Sequence, residues 1–295
     1  MRLLLFSLLA CTATAQNAGV FKDWKPEASG ISPQSSCAGL RGLTGYEFTV
    51  ASAQTIPATA DAPEHCRVSG LIPPQVAFEV NLPASWNRRM YMFGNGGYAG
   101  EPFDAPGRIA NRARALRQGF AVAATDTGHS ALTEPEATFA VNPQKRLDWA
   151  FRSLHVTALT AKKLIAAYYA SEPAQSYFDG CSTGGRQGLI LAQRFPHDFD
   201  GIVVGAPVLD FTTSIISFTW ISQALAAAPI PHAKLKLLAD KIYAQCDAVD
   251  GLKDGLIDDP RRCAPDPTGD LPRCAEAVDN AGCFTTAQIN ALEKI

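Results

Sequence analysis

The chain has 295 residues, 47% of them hydrophobic and 18% charged, with a formal net charge of −2. That length and composition exclude a disordered polymer and allow one large domain or two ordinary ones around a sizeable core. The weak negative balance excludes nucleic acid and acidic membrane surfaces as partners, and nothing in it sets the oligomeric state.

Residues 1–15 read as a signal peptide. Arg2 supplies the positive start, Leu3 to Ala10 a short apolar run, and Ala13-Thr14-Ala15 a small-residue cleavage site, so the mature chain begins at Gln16. A second reading makes Leu8-Leu9-Ala10-Cys11 a lipoprotein box. No later stretch is long enough to span a bilayer, so the expectation is a secreted or periplasmic protein. Export leads to an oxidising compartment, where disulfides persist. Of eight cysteines, Cys11 leaves with the signal. Proximity along the chain suggests Cys37–Cys66, Cys246–Cys263 and Cys274–Cys283, which leaves Cys181 alone; sequence by itself does not fix the connectivity.

Residues 16 to about 70 are mixed, with extended runs such as Tyr46 to Val50, and read as a strand region closed by the first disulfide. Val76 to Leu82 and Arg89 to Phe93 read as strands. The second runs into Gly94-Asn95-Gly96-Gly97-Tyr98-Ala99-Gly100, too glycine-rich for regular structure and suited to bringing backbone amides close to a ligand. Arg108 to Gln118 is helical and Phe120 to Thr125 a buried-type strand. Ser153 to Tyr169 is helical, Ser176 to Asp179 a strand, Gly184 to Phe195 a helix and Gly201 to Val204 a strand. This alternation predicts an α/β fold with a mostly parallel sheet covered on both faces. After Pro207 the alternation stops. The domain reading is therefore a signal at 1–15, a core at 16–209, and a helical, cysteine-rich cap at 210–295 inserted after the sheet.

Gly180-Cys181-Ser182-Thr183-Gly184 fits G-x-S-x-G, and it lies between a strand and an amphipathic helix. That is the setting of a nucleophile elbow, in which Ser182 attacks an ester carbonyl. The plainer reading is a glycine-rich turn with Ser182 capping the helix. In the elbow reading the oxyanion is held by the amide after the nucleophile, here Thr183, and by one from the loop after an early strand, for which Gly97 is the choice. The plainer reading of that loop is a tight turn. The triad order in such folds is Ser, then acid, then His. Only His197 and His232 follow Ser182; one comes too soon after the elbow helix and the other opens a cap helix, so no catalytic acid or base is assigned. The chain stops inside a helix begun near Thr286, which reads as a truncation with the rest of the core beyond Ile295.

Asp247-Ala248-Val249-Asp250-Gly251-Leu252-Lys253-Asp254-Gly255-Leu256-Ile257-Asp258 is an acidic loop bracketed by Cys246 and Cys263. Oxygen donors at this spacing suit calcium, although the spacing is not that of an EF-hand and the closing Glu is missing. A solvated acidic turn is the plainer reading.

The loop Gly94–Gly100, the run Gly180-Cys181-Ser182-Thr183-Gly184-Gly185-Arg186-Gln187, the stretch Phe199-Asp200-Gly201-Ile202-Val203-Val204-Gly205-Ala206-Pro207 and the acidic loop together resemble the tannase and feruloyl esterase family of α/β-hydrolases. The resemblance covers nearly all of the mature chain. It implies an α/β-hydrolase core with a calcium-binding, disulfide-rich cap that shapes an aromatic acyl pocket. It also implies Ser182 as nucleophile and a structural calcium held by the side chains of Asp247, Asp250 and Asp254 and the carbonyls of Leu252 and Leu256. In the family the cysteine before the nucleophile pairs with one directly after the catalytic histidine, which would give Cys181 its partner; neither that His-Cys pair nor the acid has a counterpart before Ile295. The expected function is a serine carboxylic ester hydrolase acting on small aromatic-acid esters such as ferulate or gallate, with a terephthalate monoester as a third substrate. The alternatives are an inactive fragment or non-catalytic calcium-stabilised binding protein of the same ancestry, and an acyltransferase using the same serine.

Overall fold

The structure is a computed structural model that describes residues 30–295; the signal peptide, its cleavage site and Cys11 lie outside the described residues. The chain divides into two compact units, with the boundary between Val208 and Leu209.

The first unit is built on a seven-stranded sheet. In chain order its strands are β1 (Thr49–Ile56), β2 (His65–Ile72), β3 (Val76–Pro83), β4 (Arg89–Phe93), β5 (Ala121–Thr125), β6 (Gln175–Cys181) and β7 (Gly201–Gly205). Across the sheet the order is β1-β2-β3-β5-β4-β6-β7. The sheet is mixed, not mostly parallel: β1/β2, β2/β3 and β3/β5 are antiparallel, and β5/β4, β4/β6 and β6/β7 are parallel. The expectation failed because short connections let β1, β2 and β3 meander back on themselves, and β2 was hidden inside the mixed N-terminal stretch. Cys37–Cys66 closes that stretch onto β2.

The strands at the sheet centre are buried on both faces, as parallel strands with helical crossovers must be. Met90 and Met92 of β4, with Ala121 and Ala123 of β5, join one core with Phe178, Leu191 and the buried side of α3 (Ser153–Tyr169). Tyr91 and Phe93, with Val122 and Ala124, face the other side and pack against Ala115 and Leu116 of α1 (Pro106–Arg117). Between them lie the short α2 (Pro143–Leu147) and a π-helical turn, Asp148–Arg152, that leads into α3. α4 (Thr183–Arg194) packs on β6 and β7. The chain thus steps from β4 to one neighbour, β5, by way of α1, and later returns to the other neighbour, β6, by way of α3. Where the order reverses, between β4 and β6, the loops after these two strands lie side by side at the carboxyl edge of the sheet.

The second unit holds α5 (Phe211–Ala227), α6 (His232–Cys246), α7 (Pro267–Asp270) and α8 (Thr286–Glu293). Its small core is Leu271, Phe284 and Ile289, packed with Ile230, Leu237, Leu238 and Leu292. Thr285 and Gln288 form a reciprocal capping box at the head of α8. Lys234 is buried but paired: its Nζ donates to Gln288 Oε1 at 2.7 Å and to Asp279. A unit with so small a core is stapled by two disulfides, Cys246–Cys263 and Cys274–Cys283. Among the described residues no single helix is long and apolar enough to cross a membrane; α5 and the helix that begins at His232 pass only as a pair, bent by 117°.

Asp126, at the end of β5, ties that strand to β3: its Oδ1 accepts from Ala77 N at 2.9 Å and from Gly128 N at 2.7 Å. Burial pushes its pKa up to about 6, against the opposing pull of those two amides and of Arg108. A raised carboxyl favours its protonated form in the fold. That contribution is full below the unfolded value near 4 and is lost as pH rises through about 6. Asp126→Asn keeps an oxygen for both amides and carries no charge. It is expected to raise stability at pH 7.5 by roughly 1 kcal/mol and to flatten the pH dependence between about 4 and 7, as measured by urea unfolding at a series of pH values.

Candidate active site

β6 ends at Cys181 and α4 begins at Thr183, so Ser182 alone makes the reversal from strand to helix. It does so at φ 60°, ψ −118°, a region that costs a residue with a side chain about 1–3 kcal/mol. Its backbone is fastened to the neighbouring strand and the loop beyond it. Ser182 N donates to Gly205 O at 3.1 Å, and Ser182 O accepts from Arg186 N at 3.1 Å and Val208 N at 3.2 Å. Ser182 stands at the N-cap position, yet its side chain accepts no helix amide. The capping reading is therefore set aside. Among the described residues its Oγ makes no hydrogen bond. The residue is half-buried, and the turn leaves its hydroxyl uncommitted.

The sharpness of the turn dictates the glycines around it. A β-carbon at Gly180 would lie 2.3 Å from Gly184 O, and one at Gly94 would lie 2.7 Å from Gly184 Cα. The loop after β4 is thus pressed backbone to backbone against the head of α4. Gln187, fully buried on α4, locks the two together: its Oε1 accepts from Asn95 N at 2.9 Å, and its Nε2 donates to Asn95 Oδ1 at 3.2 Å. Thr183 adds a further tie, its hydroxyl donating to Gly97 O at 2.5 Å. With its carbonyl held there, Gly97 takes a positive φ of 49°, which glycine adopts without strain. Among the described residues neither the Gly97 amide nor the Thr183 amide donates a hydrogen bond; that of Thr183 is the first of α4 and has no partner within the helix.

The far end of the loop is clasped by Glu101. Its Oε1 accepts from Gly96 N at 2.7 Å, and its Oε2 accepts from Asn95 Nδ2 at 3.0 Å and from Arg108 of α1 at 2.9 Å. Burial opposes ionisation of Glu101, but Arg108, Asn95 and the Gly96 amide together outweigh it and hold the carboxyl below the usual carboxylate range. Asn95, Gln187 and Glu101 were not picked out by chemistry at the level of sequence. The available signal was local only: Asn95 is the one side-chain amide in the glycine run, and Gln187 ends the run Gly180 to Gln187.

Among the described residues none of the five histidines hydrogen-bonds to Ser182. His65 lies on β2, its Nδ1 at 2.8 Å from Pro63 O. His129 follows β5, stacks on Phe139 and lies against the glycine loop, where a β-carbon at Gly100 would meet its Nε2 at 2.7 Å. His155 pairs through Nδ1 with Asp198 Oδ2 at 2.7 Å. Asp198 and His197 lie past the far end of α4, about 18 Å of helix from Ser182. His232 opens α6 in the second unit. Asp179, on β6, accepts from Tyr91 Oη at 2.9 Å; burial, then Asp179, pushes the Tyr91 hydroxyl up to about 12. Cys181 is the free cysteine among the described residues, and it is exposed beside Ser182.

In the second unit the acidic loop is folded by its own carboxylates. Asp247 Oδ1 accepts from Gly255 N at 2.8 Å, Asp250 Oδ1 from Leu252 N at 2.8 Å, and Asp254 Oδ1 from Leu256 N at 3.1 Å. The Oδ2 atoms and the carbonyls of Leu252 and Leu256 make no hydrogen bond among the described residues. The donor chemistry is all oxygen, as a hard cation requires. Geometry does not add to this, because among the described residues no group of three or more His, Cys, Asp or Glu side chains is gathered to hold a metal ion.

Two glycine substitutions test the crowding at the reversal. Gly180→Ala forces its methyl onto the Gly184 carbonyl and is expected to cost about 3 kcal/mol or more. Gly107→Ala, in the first turn of α1 with nothing within 4 Å of the added carbon, is expected to be neutral or to gain about 0.5 kcal/mol. Equilibrium denaturation of both variants checks the contrast.

The chain is similar to known proteins in sequence and in fold. The profile of the family described as Tannase and feruloyl esterase matches residues 61–295. Mono(2-hydroxyethyl) terephthalate hydrolase of Piscinibacter sakaiensis is 38% identical over 280 residues, covering 81% of this chain and 46% of that protein. A probable feruloyl esterase B-2 of Aspergillus terreus is 32% identical over 242 residues, covering 78% of this chain and 44% of the other. The crystal structure of feruloyl esterase B from Aspergillus oryzae superposes with a TM-score of 0.68 at 28% identity, covering 87% of this chain and 56% of that one. The chain spans about half the length of the curated relatives it matches. With the elbow at Ser182, the glycine loop against it and the sheet order that brings them together, the chain belongs to the tannase and feruloyl esterase family.

Proposed function

We propose that the protein is a serine carboxylic ester hydrolase of the feruloyl esterase or tannase type, acting on small esters of hydroxylated aromatic acids. The observation that carries this reading is Ser182 itself: a strained, tightly anchored turn at the head of α4 whose hydroxyl is committed to no hydrogen bond. The names of the relatives, a terephthalate monoester hydrolase and a feruloyl esterase, support the substrate class.

In the proposed reaction Ser182 Oγ attacks the ester carbonyl while a general base takes its proton. The carbonyl oxygen gains the negative charge and is met by the Thr183 and Gly97 amides, the first reinforced by the positive end of the α4 dipole. The carbon–oxygen ester bond breaks, the alcohol leaves with the proton from the base, and water then releases the acid from the acyl-serine. None of the described histidines is assigned as the base. Export through the signal at residues 1–15 belongs to the same proposal, and the three disulfides among the described residues support an oxidising compartment.

A structural calcium at the acidic loop is part of the proposal. Asp247, Asp250 and Asp254 would hold it with their side chains, and Leu252 and Leu256 with their carbonyls. When bound it would supply charge neutralisation that fastens the loop, with no part in acyl transfer.

Ser182→Ala is expected to lower hydrolysis of methyl ferulate and methyl gallate by at least about 10³-fold with the fold intact, and a fluorophosphonate is expected to label the wild type and not the variant. An unlabelled, inactive wild type that still folds would favour the non-catalytic reading. For the loop, calcium is expected to raise the melting temperature in a concentration-dependent way that Asp250→Asn removes; a melting temperature indifferent to calcium and chelator would end the metal proposal.

A further inference from the structure

We propose that Glu101 is a positioning residue for the oxyanion site, holding the Gly94–Gly100 loop so that the Gly97 amide faces the reacting carbonyl. The proposal rests on the serine-hydrolase reading and deepens it.

The loop needs such a residue on physical grounds. It has four glycines in seven positions, so it loses more conformational entropy on ordering than an ordinary loop does. Oxyanion donors work by being in place before charge develops, so a loop free to sample conformations would forfeit much of their effect. At its β4 end the loop is fixed by Gly94 N donating to Asp179 O at 2.8 Å and by the Gln187–Asn95 lock. At its other end Ala131 N donates to Gly100 O at 2.9 Å. Between these ends the Gly97 carbonyl is taken by the Thr183 hydroxyl at 2.5 Å and the Gly96 carbonyl by Ala99 N at 2.8 Å, while Glu101 reaches back and takes the Gly96 amide, the one directly before Gly97, at 2.7 Å. Its second oxygen joins Asn95 and Arg108.

Charge explains why the clasp is a carboxylate backed by an arginine. Three donors converge on it: the Gly96 amide, the Asn95 amide group and the Arg108 guanidinium. An ionised carboxylate can accept from all of them, and a neutral amide cannot. A bare negative charge this close to a developing oxyanion would oppose the reaction. Arg108, buried on α1 and also donating to Thr125 O at 3.2 Å, neutralises it and anchors the clasp to the end of β5.

The test uses the full chain as wild type, Glu101→Gln and Glu101→Ala, with two readouts. Hydrogen exchange by mass spectrometry is expected to speed up at least tenfold in the peptide covering Gly94 to Glu101 in both variants, with the β5 peptide unchanged. On methyl ferulate, kcat is expected to fall about 10-fold for Gln and about 100-fold for Ala, with KM within threefold of wild type, because the donors act on the transition state and not on the bound ester. Unchanged loop exchange would overturn the proposal, as would faster exchange with unchanged kcat or a loss confined to KM. If the wild type hydrolyses no ester, the serine-hydrolase reading fails by itself. The exchange readout then still decides whether Glu101 holds the loop.

Discussion

The arrangement depends on one constraint: a strand must turn into a helix within a single residue that carries a side chain. Ser182 accepts an unfavourable backbone conformation, and the fold holds it there through Gly205, Arg186 and Val208. Everything near the turn follows from the lack of space. At Gly180 nothing larger fits, at Gly184 a β-carbon would press on Asn95 O at 3.1 Å, and Gly94 allows the next loop to meet the helix backbone directly. Strain of this kind persists only where the surroundings over-determine it. Here β6, β7 and the buried face of α4 do so.

The sheet order supplies the second half of the site. β4 and β6 are neighbours although separated in the chain by β5, α1 and α3. The reversal of order between them sets the loops after these two strands against each other at the carboxyl edge. One loop brings the serine and the first amide of α4; the other brings a second amide. The same juxtaposition lets Gln187 and Asn95, distant in sequence, exchange two hydrogen bonds. The site is therefore a consequence of topology first and of side-chain chemistry second.

What could be read from the sequence follows the range of the interactions involved. The strand, turn and helix around Ser182 were legible because they are adjacent residues with different periodicities. β3, β4 and β5 were found within one residue of their ends for the same reason, and the three disulfides because each joins cysteines close in the chain. β2 was missed, since Cys66, Arg67, Ser69 and Gly70 interrupt its apolar pattern and its pairing with β1 and β3 supplies the order. The mixed character of the sheet was missed because strand direction is decided by partners that no local pattern names. Gln187 and Glu101 carried no chemical signature; they matter through what they touch. The acidic loop stands between these cases, with donor types written in the sequence and side chains turned to the loop's own amides.

The central claim is that Ser182 forms a covalent acyl intermediate. The most direct measurement is acid quenching of the protein within milliseconds of mixing with a p-nitrophenyl ester of an aromatic acid, followed by peptide mass analysis. The account predicts one acyl group on the peptide containing Ser182, appearing in step with a burst of p-nitrophenol and absent from Ser182→Ala. Steady hydrolysis without any acyl adduct, or an adduct on another residue, would contradict it.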